Sequence, residues 1–394
     1  MKRALVLGLA RSGRAAKEML EANGVEVVAA DRTLGNDTDL GLLDGADVLV
    51  KSPGVRGEAP LVVGARERGI PVWSEIELAS RFLERPIVGV TGTNGKTTTT
   101  ELLAQMLAAP SAGNVGRALS ELHDAVAEPG SPIVCELSSF QLEDVDTFRA
   151  KIAVLLNLEP DHLDRHGTFD AYRAAKLRIF ENQTADDVAV VPRGFGPIPG
   201  AGRRVEFSAD DELPAEPLIP GAHNRENAAA ATAAARTAGV SDDAIASALR
   251  SFPGVPHHIE EIATVADVRF VNDSKGTNVA AALRAIAALR DSTLHLILGG
   301  FGKNESYAPL ARALRAGDHA YLVGAAAPEI ARALDDANVA YTFCGELAVA
   351  FRKAAAAARA GEIVLLSPAC ASWDQFEDFE ARGDEFRRLA RGLT

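Results

Sequence analysis

The run Ile87-Val88-Gly89-Val90-Thr91-Gly92-Thr93-Asn94-Gly95-Lys96-Thr97-Thr98 decides the fold. Its apolar start reads as a buried strand. A glycine-rich turn follows, and a helical pattern runs from Thr97 to Leu107. That order makes a phosphate cradle. Backbone N–H groups turn inward, the helix N-terminus favours an anion, and Lys96 adds a positive charge. Thr97 offers a hydroxyl to a magnesium ion. The common phosphate loop has a glycine where this chain has Val90, so the loop is the shorter Gly92-x-x-Gly95-Lys96-Thr97. The plainer alternative is an ordinary strand-to-helix turn with a chance lysine. Strand, glycines, Lys-Thr and helix in succession argue against it.

The chain has 394 residues, enough for two or three domains. Apolar residues make up 47%, sufficient for real cores. The net charge of −13 argues against nucleic acid or an acidic membrane surface as partner. Any anionic ligand needs local positive sites. The three cysteines, Cys135, Cys344 and Cys370, lie in or beside apolar runs. Their scatter and odd number suit reduced thiols in a cytoplasmic protein, with no zinc spacing among them. The N-terminus runs straight into a glycine turn rather than a signal peptide, and no stretch is long enough for a membrane span.

Upstream of the cradle, strands and helices alternate over residues 1–84. Ala4–Leu9 reads as a strand, Ser12 as the cap of a helix to Ala22, and Val25–Ala30 as a second strand stopping at Asp31. The turn Gly8-Leu9-Ala10-Arg11-Ser12-Gly13 is a degraded dinucleotide fingerprint, with Ala10 in place of the middle glycine. A nicotinamide cofactor, another nucleotide diphosphate and a ligand-free turn all stay open on this evidence. A further strand, Asp47–Val50, delivers Ser52-Pro53-Gly54 to a strand's C-terminal end, where ligands bind in open α/β sheets.

Downstream, the block 85–254 contains the cradle, apolar strands at 133–137, 152–158, 187–191 and 204–207, and helices at 169–182 and 224–238. The block 255–394 is a run of βα units. Its uninterrupted apolar strands imply a parallel sheet covered on both faces. Arg81–Pro86 and 252–256 read as linkers and hinges. The expected crevice of the last block holds Asp273, Ser274, Lys275, Gly299, Gly300, Lys303, Ser367 and Ser372.

A triphosphate site needs oxygen ligands for magnesium beyond Thr97. Glu136 ends a strand after the phosphate loop, where a metal carboxylate belongs; the alternative is a solvated strand-end acid. His162, in Asp161-His162-Leu163-Asp164, is a metal ligand or simply a satisfied polar residue. Lys176 on a helix is a surface cation unless it is buried beside the metal. There its neutral amine would add carbon dioxide, and the resulting carbamate would act as a carboxylate.

These motifs resemble those of the Mur ligase family, the ATP-dependent amino-acid-adding enzymes of peptidoglycan synthesis. The resemblance rests on Gly92–Thr98, Gly113-Asn114-Val115-Gly116, Glu136-Leu137-Ser138-Ser139-Phe140-Gln141-Leu142, Asn272–Asn278 and Ser367–Phe376. It covers the whole chain. It implies three α/β domains: a Rossmann-like UDP-substrate domain (1–84), a central ATPase-type domain (85–254) and a C-terminal dinucleotide-fold-like domain taking the amino acid (255–394). The implied reaction adds D-glutamate to UDP-N-acetylmuramoyl-L-alanine through an acyl phosphate, in a cytoplasmic monomer.

The resemblance also implies residue roles. Gly92, Thr93, Asn94, Gly95, Lys96, Thr97, Thr98, Asn224, Asn227, His258 and Asp273 would take ATP. Leu9, Ala10, Arg11, Ser12, Asp31, Arg32, Ser52, Pro53, Gly54, Asn114, Ser138 and Gln141 would take the UDP substrate. His162, Lys275, Thr277, Lys303, Ser372 and Phe379 would surround D-glutamate. Thr97, Glu136, His162 and Lys176, the last as its carbamate, would serve two Mg2+ sites, with Lys96, His162 and Lys176 catalytic. Two departures stand out. His258 replaces a family arginine after Pro256-His257, and the chain is short between Leu107 and Gly113, where relatives have an added strand. The rivals are another ligase of the superfamily such as a folylpolyglutamate synthase, a non-catalytic nucleotide-binding module, and a nicotinamide dehydrogenase.

Overall fold

Among the described residues the strands form three sheets. The computed structural model describes all but residues 125–127, 129, 220, 303, 304 and 394. The first sheet holds β1 (Arg3–Leu7), β2 (Glu26–Ala30), β3 (Val48–Lys51) and β4 (Val72–Ser74), in the order β2-β1-β3-β4. The second holds β5 (Ile87–Thr91), β6 (Ser111–Gly113), β7 (Ile133–Glu136), β8 (Ile152–Leu155), β9 (Val188–Pro192) and β10 (Arg203–Phe207), in the order β10-β9-β8-β5-β7-β6. Both are parallel throughout. The third holds β11 (Glu260–Val265), β12 (Val268–Asn272), β13 (Leu294–Gly299), β14 (His319–Val323), β15 (Tyr341–Gly345) and β16 (Ile363–Leu366), in the order β11-β12-β16-β13-β14-β15.

The chain divides into two compact units, Met1–Phe252 and Pro253–Thr394. The first unit carries the first two sheets, the second unit the third. The fully buried strands β3, β5, β7, β8, β13 and β16 are the apolar runs of the sequence, as parallel sheets with both faces covered require. Apolar clusters line the faces of each sheet. No helix among the described residues is long and apolar enough to cross a membrane.

Three strands differ from the expectation. β4 and β6 have three residues each, too short for a periodicity signal. β6 fills the place where the shortened segment 108–112 put the central sheet in doubt, and it pairs with β7 at the sheet edge. β11 is antiparallel to β12, so the third sheet is not wholly parallel. Ser12 does not cap its helix: the helix spans Arg11–Ala22, and Ala10 precedes it without a side-chain cap.

Within the first unit, the helix Glu75–Phe82 joins the first sheet to the second, and it occupies the start of the expected linker. Glu75 and Glu77, both in its first turn, are buried. Glu77 accepts hydrogen bonds from the backbone N–H groups of Asp146, Thr147 and Phe148. Glu75 accepts from the N–H and hydroxyl of Ser120. Lys51, at the end of β3, pairs with Asp144 at 2.7 Å. Each contact crosses from one sheet's elements to the other's.

Candidate functional site

β5 delivers the chain to Gly92, and the helix Lys96–Leu107 begins directly after Gly95. Gly92 and Gly95 have φ of +155° and +79°, so the turn needs glycine. Lys96 Nζ donates to the carbonyl oxygens of Gly92 and Thr93, both at 2.9 Å, curling over its own loop. The Asn94 N–H donates to Asn157 Oδ1 at 2.8 Å, and Asn157 Nδ2 donates back to the Asn94 carbonyl. The loop is thus pinned to the segment after β8. Asn227 packs so closely on Gly95 that a Cβ there would lie 2.1 Å from its Oδ1.

Lys176 is buried within the helix Phe169–Leu177. Its Nζ donates to the Gly92 carbonyl at 2.8 Å and lies 4.9 Å from the Tyr172 ring centre. Burial, and then the neighbouring Lys96 charge, push its pKa down to about 7, against an opposing pull from Asp161 and Glu136. About half of such amines are neutral at pH 7, where an ordinary lysine is almost wholly charged. Glu136, also buried, accepts from Asn114 Nδ2 at 2.9 Å through Oε1. Its Oε2 is buried with no hydrogen-bond partner among the described residues. An orphaned carboxylate oxygen is costly unless a cation meets it, so Glu136 fits a metal.

His162 sits in the left-handed region, φ +52°, and its ring lies beside Phe140 and Tyr172. Among the described residues no three His, Cys, Asp or Glu groups converge on one point. The donor set therefore suits an ion that also takes hydroxyl and phosphate oxygens, as Mg2+ does.

At the ends of β1 and β3, a cleft of about 560 Å³ is lined by Gly8, Asp31, Arg32, Gly54, Val55 and Arg56, among others. Asp31 spends its oxygens on the N–H of Leu9 and on the N–H and hydroxyl of Thr33. It shapes the turn from within. Ser52 Oγ donates to the Gly8 carbonyl, joining the two turns. Arg11 donates to the carbonyl of Gly116, beside Asn114. Ser138 and Gln141 form a reciprocal capping box, in which Gln141 Oε1 accepts from the Ser138 N–H and hydroxyl.

In the second unit, the segment after β12 meets the segment after β16. Asp273 accepts from Ser367 Oγ at 2.6 Å, and its other oxygen faces His258 Nδ1 at 3.3 Å. The Ala369 N–H donates to the Gly276 carbonyl, which ties the stretch holding Lys275 and Thr277 to the one holding Ser372. Ser372 is buried and Phe379 begins the helix Phe379–Arg391. Lys303 lies outside the described residues.

With this geometry in view, comparison places the chain. A model of the Mur ligase middle domain matches residues 90–194, and one of the Mur ligase glutamate ligase domain matches 258–370. The chain is 42% identical to the UDP-N-acetylmuramoylalanine–D-glutamate ligase of Anaeromyxobacter dehalogenans, over 98% of this chain and 97% of that protein. The chain belongs to the Mur ligase family. The protein of the same name from Myxococcus xanthus is 38% identical over 100% of this chain and 98% of its own. Among solved structures, the UDP-N-acetylmuramate-alanine ligase of Thermotoga maritima shares the fold, with a TM-score of 0.63, 19% identity and 100% of both chains covered. E. coli FolC shares it with a TM-score of 0.60 and 18% identity, over 81% of this chain and 93% of its own. Mur ligases are ATP-dependent carbon–nitrogen ligases, and the cradle is the part of the fold suited to the nucleotide.

Sequence reading missed two residues of this Mur ligase. Arg382 is buried in the last helix. It donates to Ser274 Oγ and carbonyl at 2.9 Å and to the carbonyls of Cys370 and Ala371. Burial pulls its pKa down to about 10, yet it stays charged at neutral pH. Arg165, beside the metal candidate His162, reaches the carbonyls of Pro53 and Val55. Ser274, Pro53 and Val55 each lie over a hundred residues from the arginine that holds them, so no local spacing announces these contacts.

Proposed function

We propose that the chain joins D-glutamate to the L-alanyl carboxylate of UDP-N-acetylmuramoyl-L-alanine with cleavage of ATP to ADP and phosphate. The observation that carries this reading is whole-length identity of 42% to a ligase of that name, on a chain whose phosphate loop is flanked by buried Lys176 and by Glu136 with its orphaned oxygen. Three domains divide the work at about 1–84, 85–254 and 255–394.

A carboxylate resists attack by an amine because an oxide would have to leave. Transfer of the γ-phosphoryl to that carboxylate makes an acyl phosphate, whose phosphate leaves readily once the amine has added. Lys96 and the cradle N–H groups hold the nucleotide phosphates, with Thr93, Asn94, Thr97 and Thr98 around them and Asn224 and Asn227 toward the base. Thr97, Glu136, His162 and a carbamate on Lys176 would hold Mg2+, which spreads the charge of the transferring phosphoryl group. The neutral fraction of Lys176 is what carbon dioxide needs for that carbamate. The turns at 8–12 and 52–54, with Asn114 and Ser138, hold the UDP substrate. Lys275, Thr277, Lys303, Ser372 and Phe379 take D-glutamate, arranged by Arg382 through Ser274. His258 and Asp273 are assigned to ATP by the family resemblance. The enzyme acts as a cytoplasmic monomer; its three free cysteines suit that compartment.

The test is phosphate release from ATP with UDP-N-acetylmuramoyl-L-alanine, comparing D-glutamate with L-glutamate, L-lysine and meso-diaminopimelate. Turnover with D-glutamate alone is expected. Equal or better turnover with any other amino acid overturns the reading.

A further inference from the structure

The first unit contains an ionic joint that the chemistry above does not use. Arg165 lies in the short helix Leu163–His166, three residues after His162. Its Nη1 donates to the Pro53 carbonyl at 2.5 Å, and its Nη2 to the Val55 carbonyl at 3.2 Å and to Glu143 Oε2 at 3.1 Å. The guanidinium carbon lies 3.9 Å from the Phe140 ring centre, and the side chain is only 11% exposed. The next residue, His166, closes on the same acid: its Nδ1 is 3.2 Å from Glu143 Oε1, and its Nε2 is 3.0 Å from Ser139 Oγ. From the other side, Lys51 Nζ donates to the Val55 carbonyl at 3.2 Å and pairs with Asp144. The turn after β3 and the segment carrying His162 therefore end on one adjacent acidic pair.

A planar guanidinium holding two carbonyls and a carboxylate fixes the orientation of all three, which a lysine cannot reproduce. Arg165 holds the Pro53 carbonyl, shares the Val55 carbonyl with Lys51, and sits in the helical turn that His162 precedes. We infer that Arg165 is a positioning residue which transmits occupancy of the turn 52–55 to the His162 segment, so that seating of the sugar nucleotide orders the residues that face the metal. This inference rests on the proposed reading of that turn as part of the UDP-substrate site. Coupling of this kind is a linkage between two sites through one rigid connection.

The test is hydrogen–deuterium exchange on the full chain with UDP-N-acetylmuramoyl-L-alanine, without ATP or divalent cation, for the wild type, Arg165→Met and Arg165→Lys. Exchange in 87–98 serves as the fold control, unchanged between the proteins. In the wild type the substrate slows exchange in both 51–56 and 161–168. In Arg165→Met the protection of 51–56 persists and that of 161–168 is lost; Arg165→Lys retains at most part of it. Undiminished protection of 161–168 in both variants overturns the inference, as does protection confined to 51–56 in the wild type. No protection anywhere in the wild type overturns the substrate reading itself, and the inference with it.

Discussion

Lys176 Nζ lies 2.8 Å from the carbonyl oxygen of Gly92, so a buried lysine from a distant helix closes on the first glycine of the phosphate loop. The contact places an amine of lowered basicity directly against the phosphate loop.

Turnover is expected to depend on bicarbonate and on pH together. With the Lys176 pKa near 7, its neutral form diminishes as pH falls from 8 to 6, and carbamate formation falls with it. Bicarbonate should raise the rate at pH 8 and do progressively less toward pH 6. Lys176→Ala should lower kcat by about a hundredfold or more. Wild-type rates in rigorously carbon-dioxide-free buffer would refute the carbamate.

The same lysine should weigh on stability. Its folded pKa lies below the unfolded value, so the unfolded chain binds more protons between about pH 7 and 10.5, and stability rises with pH across that window. Lys176→Met is expected to raise Tm at pH 7 while abolishing activity. A calorimetric scan showing a lower Tm would count against burial as the cause.

Gly95→Ala should disable the nucleotide site selectively. The added Cβ meets Asn227 Oδ1 at 2.1 Å, on a residue held at φ +79°. Strain of about 1–2 kcal/mol is expected from the backbone alone. ATP affinity, measured by nucleotide titration, should fall at least tenfold, while binding of UDP-N-acetylmuramoyl-L-alanine is retained.

Glu75 should make the first unit less stable as pH rises. Desolvation raises its carboxyl to about 7, against hydrogen bonds from Ser120. The folded state then holds a proton that the unfolded state releases between about pH 4.5 and 7, so this contribution declines across that range and stays low above it. The full effect is about 3 kcal/mol. Glu75→Gln should flatten the pH dependence, gaining on the wild type at pH 8. Parallel denaturation curves for the two proteins at pH 5 and pH 8 would refute this.

Arg382→Lys should act on the amino-acid substrate. It loses hydrogen bonds to two segments at once, each worth about 1.5–3 kcal/mol when the donor is charged. The KM for D-glutamate should rise tenfold or more, with the KM for UDP-N-acetylmuramoyl-L-alanine little changed. Steady-state kinetics with each substrate varied in turn will tell.

The central strands β3, β5, β7, β8, β13 and β16 were readable because burial on both faces makes each an apolar run. β6, Ser111-Ala112-Gly113, has no such run, and β11 opens on two adjacent acids, Glu260 and Glu261, and stays partly exposed along its length at the sheet edge. The phosphate loop was readable because its chemistry is local. The hydrogen bonds by which Asp31 and Gln141 Oε1 hold nearby backbone and hydroxyl groups were not, since only the fold brings those groups to them. Arg165 and Arg382 look like ordinary surface arginines in sequence; tertiary contacts alone bury them.

The buried acids of the helix Glu75–Phe82 have a consequence for engineering. A first domain transplanted from a relative would bring its own helix to this central sheet. If that helix lacked Glu77, the N–H groups of Asp146, Thr147 and Phe148 would lose their shared acceptor; if the new sheet lacked those groups, Glu77 would be stranded as a buried charge. Chimeras should therefore cross over at Leu83–Pro86 only when the 144–148 segment and Ser120 travel with the helix, and recombination within this lineage is expected to respect the same boundary.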